Sequence, residues 1–225
     1  MSKLVWDATG EREYNLGVSK CVLFPIDAAT GNHETGVAWN GLTGVDENPD
    51  GADINDIWAD NIKYATFQTA ENQKGSIKAY MFPPEFYPCL GMLTPDDAPG
   101  MAFTGQAHKA FSFVYRTELG TDINENAGYV LHFVYNCKVQ PSSKSHATKN
   151  ENPDPEEMSW DYSATPVNVT GVAGVTTTAA FEIKSTLFTK AQMDAVEDII
   201  YGGTNTNATL PKDPGDIYSA IKAAA

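Results

Sequence analysis

His33-Glu34 opens like H-E-x-x-H, the zinc motif in which two histidines one helical turn apart hold the metal and the glutamate acts as base. The second histidine should stand at position 37, which is Val37, so the ligand set is incomplete. Asp46-Glu47-Asn48-Pro49-Asp50-Gly51 fits the first half of a calcium loop, D-x-N-x-D-G. The twelfth position, where a bidentate glutamate belongs, is Ile57, and Pro49 disfavours the turn that wraps the ion. A solvated acidic loop is therefore the expectation for 46–57, with weak calcium binding as the alternative. Lys138, Lys144, His146 and Lys149 form a basic run, but Glu151, Asp154, Glu156 and Glu157 follow at once and cancel its field. There is no G-x-S-x-G elbow, P-loop or dinucleotide fingerprint, and Gly171-Val172-Ala173-Gly174 lacks the strand-to-helix setting they need. No enzyme, no cofactor and no metal is expected. Trp39, Trp58 and Trp160 could stack on sugar rings if exposed, although core or interface packing is the usual fate of so large a side chain.

Composition narrows the classes further. The chain has 225 residues with 15 Lys+Arg against 29 Asp+Glu, a formal net charge of −14. Such an acidic balance argues against gripping nucleic acid or an anionic membrane surface, both of which take clustered Lys/Arg. Hydrophobic residues at 42%, with ten Tyr and ten Phe, suffice for a folded core and exclude a disordered chain. Cys21, Cys89 and Cys137 are odd in number and widely spaced, which points to free thiols and intracellular synthesis. The start reaches Asp7 before any apolar core, unlike a signal peptide, and no run approaches the roughly 18 apolar residues of a membrane span. A soluble product assembled in the cytoplasm is expected.

The elements that must position these residues read as strands. Short runs rich in Val, Ile, Tyr, Phe and Thr recur at 18–24, 36–45, 61–69, 76–82, 110–118, 129–139, 158–167 and 178–184. In 110–118, Phe111, Phe113 and Tyr115 share a face opposite Ser112, Val114 and Arg116; in 129–139, Tyr129, Leu131, Phe133 and Tyr135 oppose His132, Asn136 and Lys138. Each strand thus shows one aromatic core face and one more polar face, and 120–128 suits a long hairpin turn. A sandwich or opened barrel is expected rather than a βαβ protein. One helix is expected from Thr189 to Tyr201, with a Thr189/Gln192 capping box, a Phe188–Met193 staple, an inward stripe of Met193, Val196, Ile199 and Ile200, and a stop at Gly202. A shorter helix is read at 84–90. Excursions are expected at 46–60, which holds six acidic residues, and at 141–157, with a polar linker from 203 before a terminal arm to 225.

Taken in order, several blocks resemble the major tail tube proteins of long, non-contractile-tailed bacteriophages of Gram-positive hosts. They are Trp6-Asp7-Ala8-Thr9-Gly10-Glu11, Gly17-Val18, Val22-Leu23-Phe24-Pro25 and Gly36-Val37-Ala38-Trp39-Asn40-Gly41-Leu42-Thr43, then Trp58-Ala59-Asp60-Asn61-Ile62-Lys63-Tyr64. Tyr80-Met81-Phe82-Pro83-Pro84-Glu85-Phe86, Phe113-Val114-Tyr115-Arg116-Thr117, Gly128-Tyr129-Val130-Leu131-His132, Ser159-Trp160 and Val196-Glu197-Asp198-Ile199-Ile200-Tyr201-Gly202 complete the match.

The resemblance implies a tail-tube β-domain over 1–202, built of two packed antiparallel sheets with a flanking helix, and a C-terminal extension over 203–225. It implies hexameric rings whose inner sheets close into one barrel, stacked into a tube that conducts the DNA genome within the virion. The partners it implies are further copies of the chain, a tape measure protein, a tail terminator, distal tail proteins and double-stranded DNA passing without specific binding. The inner tube of a contractile tail or of a phage-derived particle is the near alternative, and an isolated carbohydrate-binding β-sandwich the distant one. On this reading Asp46, Glu47, Asp50, Asp53, Ile54, Asp56, Ile57, Trp58 and Asp60 form a loop that contacts the next ring. Glu71, Glu118 and Asp161 are the candidates for the lumen wall.

Overall fold

The computed structural model describes residues 3–69, 71–98, 100–144, 146, 148, 155–204 and 206–225. The strands are β1 (Glu13–Pro25), β2 (Val37–Trp39), β3 (Leu42–Glu47), β4 (Asp50–Gly51), β5 (Ile54–Ala59), β6 (Ile62–Gln68) and β7 (Glu71–Asn72). They continue with β8 (Lys74–Ala79), β9 (Phe111–Thr121), β10 (Gly128–Val139), β11 (Met158–Ala164), β12 (Val167–Asn168), β13 (Thr177–Thr178) and β14 (Ala180–Lys184). Two helices follow, α1 (Lys190–Tyr201) and α2 (Pro214–Ala223). The protein is mainly β, and its body is one antiparallel sheet of eight strands in the order β2-β1-β9-β10-β11-β8-β3, with β14 also on β10.

A single continuous sheet thus replaces the two expected sheets, and β10 explains how. Its first half pairs with β14 through Val130–Val134, and its end pairs with β11 through Cys137–Val139. Between them lies a bulge at Asn136, with φ 48°, whose N–H donates to Ser112 Oγ at 2.9 Å. The extra residue inverts the alternation: Leu131, Phe133 and Tyr135 face one side of the sheet, whereas Cys137 and Val139 join Val134 on the other.

Both faces are consequently buried, which corrects the expectation of one polar face. Phe111, Phe113 and Tyr115 belong to a first core with Trp39, Ile77, Trp160 and Tyr162, drawn from strands at both ends of the sheet order. Strands so far apart can share a core because the sheet curls around it and β3 returns against β1. Among the described residues no closed barrel forms. Phe86, in a 3-10 turn at Pro84–Phe86, plugs this core with its ring centroid 4.5 Å from Trp39 and 5.5 Å from Trp160. The helix expected at 84–90 stops there, and Pro88 follows, whose ring cannot continue a helix interior. The other face carries Val22, Phe24, Val114, Leu131, Phe133 and Tyr135 and is covered by Met193, Val196 and Ile200 of α1 and Ile217 and Ile221 of α2.

The α1 start is as expected: Thr189 Oγ1 accepts from the Gln192 N–H while the Gln192 side chain accepts from the Thr189 N–H, and Gly202 ends the helix with φ 80°. The expected polar linker and arm over 203–225 instead contribute α2 and Leu210 to the second core, because Ile217 and Ile221 make an apolar stripe one turn apart. The strand expected over 36–45 breaks at Asn40-Gly41, where Gly41 takes φ 73°. All three cysteines are free and buried; burial pushes the Cys89 thiol up to about 12 and raises Cys21 and Cys137 further.

His33, read from sequence as half a zinc motif, is wedged between the rings of Phe24 and Tyr135, with Nε2 2.7 Å from Ser112 Oγ. Glu34 beside it pairs with Lys109 at 2.5 Å. Burial lowers His33 to about 4, with Lys212 adding to the effect and the Leu210 backbone opposing it. A histidine held neutral in the fold favours folding above its free value of about 6.5, and that contribution fades as pH falls towards 4. The urea midpoint should therefore drop between pH 7 and 4, and His33→Gln should flatten the drop by up to about 3 kcal/mol. Equal pH dependence in both proteins would show that His33 is not the titrating group.

Candidate functional site

Between Glu47 and Lys74 the chain leaves the sheet and returns, forming an arm. Its root is the β3–β8 pair, in which Asp46 faces Ser76 and Glu47 faces Gly75. Gly75 is bare for a reason: a Cβ there would lie 2.1 Å from the Asp46 carbonyl and 2.6 Å from the Tyr162 hydroxyl. Beyond the root come the short β4–β7 ribbon and the β5–β6 hairpin, which runs from Ile54 opposite Gln68 to Ala59 opposite Ile62. Asp60 and Asn61 turn the tip with φ 50° and 62°, the paired left-handed conformation of a two-residue hairpin loop, which Asp and Asn tolerate. From Asn48 to Asp60 such a strand spans up to about 40 Å. The excursion expected at 46–60 is thus one limb of a β-arm, and the strand expected at 61–69 is its other limb rather than part of the body.

The arm carries its charges on rungs. Asp46 meets Lys78 at 2.7 Å, Asp50 meets Lys74 at 2.6 Å and Asp56 meets Lys63 at 2.7 Å. The lysine partners hold the Asp46 and Asp50 carboxyls below the ordinary range. Glu47 accepts from the Tyr115 hydroxyl at 2.7 Å. The carboxylates that the calcium reading would gather therefore have cross-strand partners of their own. Among the described residues no three His, Cys, Asp or Glu side chains come together as a metal site. At the hairpin base the Thr69 N–H donates to the Asp53 carbonyl and the Asp53 N–H donates to Thr69 Oγ1, and Asp60 stands exposed at the tip.

Large apolar side chains on the arm face solvent. Ile54 is 68% exposed, Ile57 48%, Trp58 65%, Ile62 63%, Tyr64 74% and Phe67 57%. Strand alternation and the register put Ile57, Ala59, Ile62, Ala65 and Phe67 on one face. The other face holds Ile54, Trp58 and the Asp56–Lys63 pair. So many exposed large apolar side chains on one hairpin make it a candidate interaction site. Ile62, Tyr64 and Phe67 were not singled out by sequence; the signal that could have found them is the Asp60-Asn61 turn dipeptide between two alternating runs.

The remaining candidates scatter. Glu118 is exposed on β9 opposite Tyr129, and Asp161 is exposed on β11 with its carbonyl accepting from the Gln140 N–H. Tyr129 and Gln140 lie up to about 36 Å apart along β10. Glu71 sits in β7 at the arm root. No shared wall is formed by the three within one chain. Trp39 and Trp160 are 3% and 1% exposed in the first core, which removes them as sugar platforms and leaves Trp58. Lys138 is exposed on β10, and His146 Nδ1 lies 3.0 Å from Glu156. Lys149, Glu151 and Asp154 lie outside the described residues, as does much of the excursion expected at 141–157.

No family model matches the chain, and no curated protein matches it either. The geometry is therefore the ground for a functional reading. An isolated two-stranded hairpin is at best marginally stable in water. Amide exchange on dilute protein should show Ile54–Gln68 unprotected while β9 and β10 stay protected, and the arm should gain protection when copies associate. Equal protection of arm and body in dilute protein would show that the arm needs no partner.

Proposed function

We propose that this chain is a self-assembling structural protein whose copies form rings that stack into a tube conducting double-stranded DNA, as the tail-tube resemblance implies. The observation that carries the reading is the projecting arm, with six large apolar side chains uncovered on a charged, lysine-paired scaffold. A ladder of ion pairs keeps such an arm straight and soluble, while the apolar side chains between the pairs supply the adhesive surface, the usual anatomy of an interface. Sheet edges support the same reading: β2, β3 and β14 each keep one side unpaired among the described residues, and closing such edges across a ring into one barrel would remove them. A head-to-tail interface that closes makes a ring, and stacking adds an open axis. In this role the chain is not an enzyme, works in the tail of a virion after assembly in the host cytoplasm, and meets a tape measure protein, a terminator and distal tail proteins. The inner tube of a contractile tail would use the same surfaces. A sugar-binding module is disfavoured because an exposed Trp58 on a projecting hairpin lacks the concave setting of a ligand site.

Replacing Ile57 and Trp58 together by Ser should leave the circular dichroism spectrum and melting temperature unchanged, since neither side chain is in a core, and should abolish rings and tubes in electron micrographs. Normal tubes from the double variant would refute the role given to the arm. With each copy at −14, a lumen of like charge would repel the duplex over a screening length of about 8–10 Å. Fluorescence anisotropy with a short DNA duplex at about 50 mM salt, where electrostatic binding is strong, should show no submicromolar affinity. Submicromolar binding would replace the conduit with a DNA-binding role.

A further inference from the structure

Leu4, Val5 and Trp6 extend into solvent, 74%, 77% and 74% exposed. Its root is fixed: the Gly10 N–H donates to Asp122 Oδ1 at 2.8 Å and Arg12 Nη2 donates to the Asp7 carbonyl at 2.9 Å. Elsewhere on the molecule a cleft of about 350 Å³ runs between β14, the β12–β13 ribbon and α2. Val172, Val175, Phe181, Phe188, Ile217 and Tyr218 line it, while the Glu182 carboxylate lies on the other face of β14, 3.8 Å from His132 Nδ1. The cleft is preformed. Asp213 caps α2 through the Gly215 N–H and accepts from both the N–H and the hydroxyl of Thr170, which ties the ribbon to the helix. Gly215 permits that approach, since a Cβ would fall 1.9 Å from the Thr170 carbonyl. Alongside the cleft, β14 pairs with β10 on one side and offers its other edge.

We infer that Leu4–Trp6 of a second copy docks in this cleft, adding a short strand to the free edge of β14. An extended segment places residues two apart on one face, so Leu4 and Trp6 enter the cleft beside Phe181 and Ile183 while Lys3 and Val5 lie on the face of Glu182, opposite in charge to Lys3. Phe181 and Ile183 are the β14 residues that face the helix layer, where the cleft opens. Size selects this occupant over the arm: a cavity near the lower end of the ligand-pocket range holds one or two side chains, whereas the arm spreads six over a far longer surface. The docking is assigned to a second copy because, within the chain, the segment stands in solvent while the cleft is open. Each copy thereby offers one segment and one cleft, a head-to-tail contact that holds whatever the assembly conducts.

The test uses full-length variants that each gain one exposed cysteine, with Cys21, Cys89 and Cys137 left in place because they are buried. Trp6→Cys mixed with Val175→Cys under mild oxidation should yield the mixed disulfide at least about tenfold faster than Trp6→Cys mixed with Met101→Cys, an exposed site outside the cleft, because docking raises the local concentration. Equal rates in the two mixtures would overturn the inference. So would a monomer-sized intrachain disulfide as the main product of the double variant Trp6→Cys/Val175→Cys, which would place the segment in its own cleft. A Gly215→Ala variant that keeps its melting temperature but still cross-links at the original rate would show that the cleft's shape is irrelevant, and would count against it equally.

Discussion

Everything in this molecule follows from a sheet with apolar side chains on both faces. The β9–β10 pair sets the problem: Phe111, Phe113 and Tyr115 point one way, Val114, Leu131, Phe133 and Tyr135 the other, and neither set can be left in water. Each large side chain is worth about 1.5–3 kcal/mol on burial, so exposing one whole face would cost more than a domain's net stability. Two different devices solve it. On one face the sheet curls and is plugged by Phe86; on the other the amphipathic helices lie down. The Asn136 bulge makes both possible, since it lets one long strand serve β14 and the helix face first, then β11 and the curled core.

This solution uses up the chain's covering elements. The helices cannot also cover the arm, and the curled sheet ends at edges that have no partner. The protein is therefore self-sufficient at its centre and unfinished at its periphery, in three places: the hairpin limbs beyond Glu47, the edge of β14 with its apolar cleft, and the segment before Asp7. A chain that left so much apolar surface exposed without purpose would aggregate indiscriminately. Here the exposure is shaped by Asp–Lys rungs on the arm and by the Asp213–Thr170 tie at the cleft. Such shaped exposure is what the proposed contacts between copies would use.

How much of this was legible in the residues varies with the range of the interaction involved. The Thr189/Gln192 capping box, the Met193–Val196–Ile200 stripe and the Gly202 stop are local signals spaced within a few residues, and the helix lies where they put it. The long body strands β9 and β10 were legible for the same reason, to within a few residues at each end, whereas the run at 36–45 is two strands. The arm was not legible, because its first limb, rich in acidic residues, reads as a solvated loop; only the register shows that β5 pairs with β6 and leaves the body. The placement of the lumen candidates was not legible either. Glu118 and Asp161 are exposed, but their separation along β10 depends on which strands pair.

The sequence by itself determined the class of protein: an acidic, aromatic-rich, mainly β chain with a capped helix and no catalytic motif, because composition and side-chain period act locally. Tertiary structure alone decided which faces needed cover. The polar-looking face of β9 became a core once α1 and α2 lay on it, and a tail that read as a linker became the second of those helices. It also decided that Trp39 and Trp160 are buried while Trp6 and Trp58 are not. The four share a side chain; what separates them is whether the curled sheet closes over them, and that depends on contacts between residues far apart in the chain.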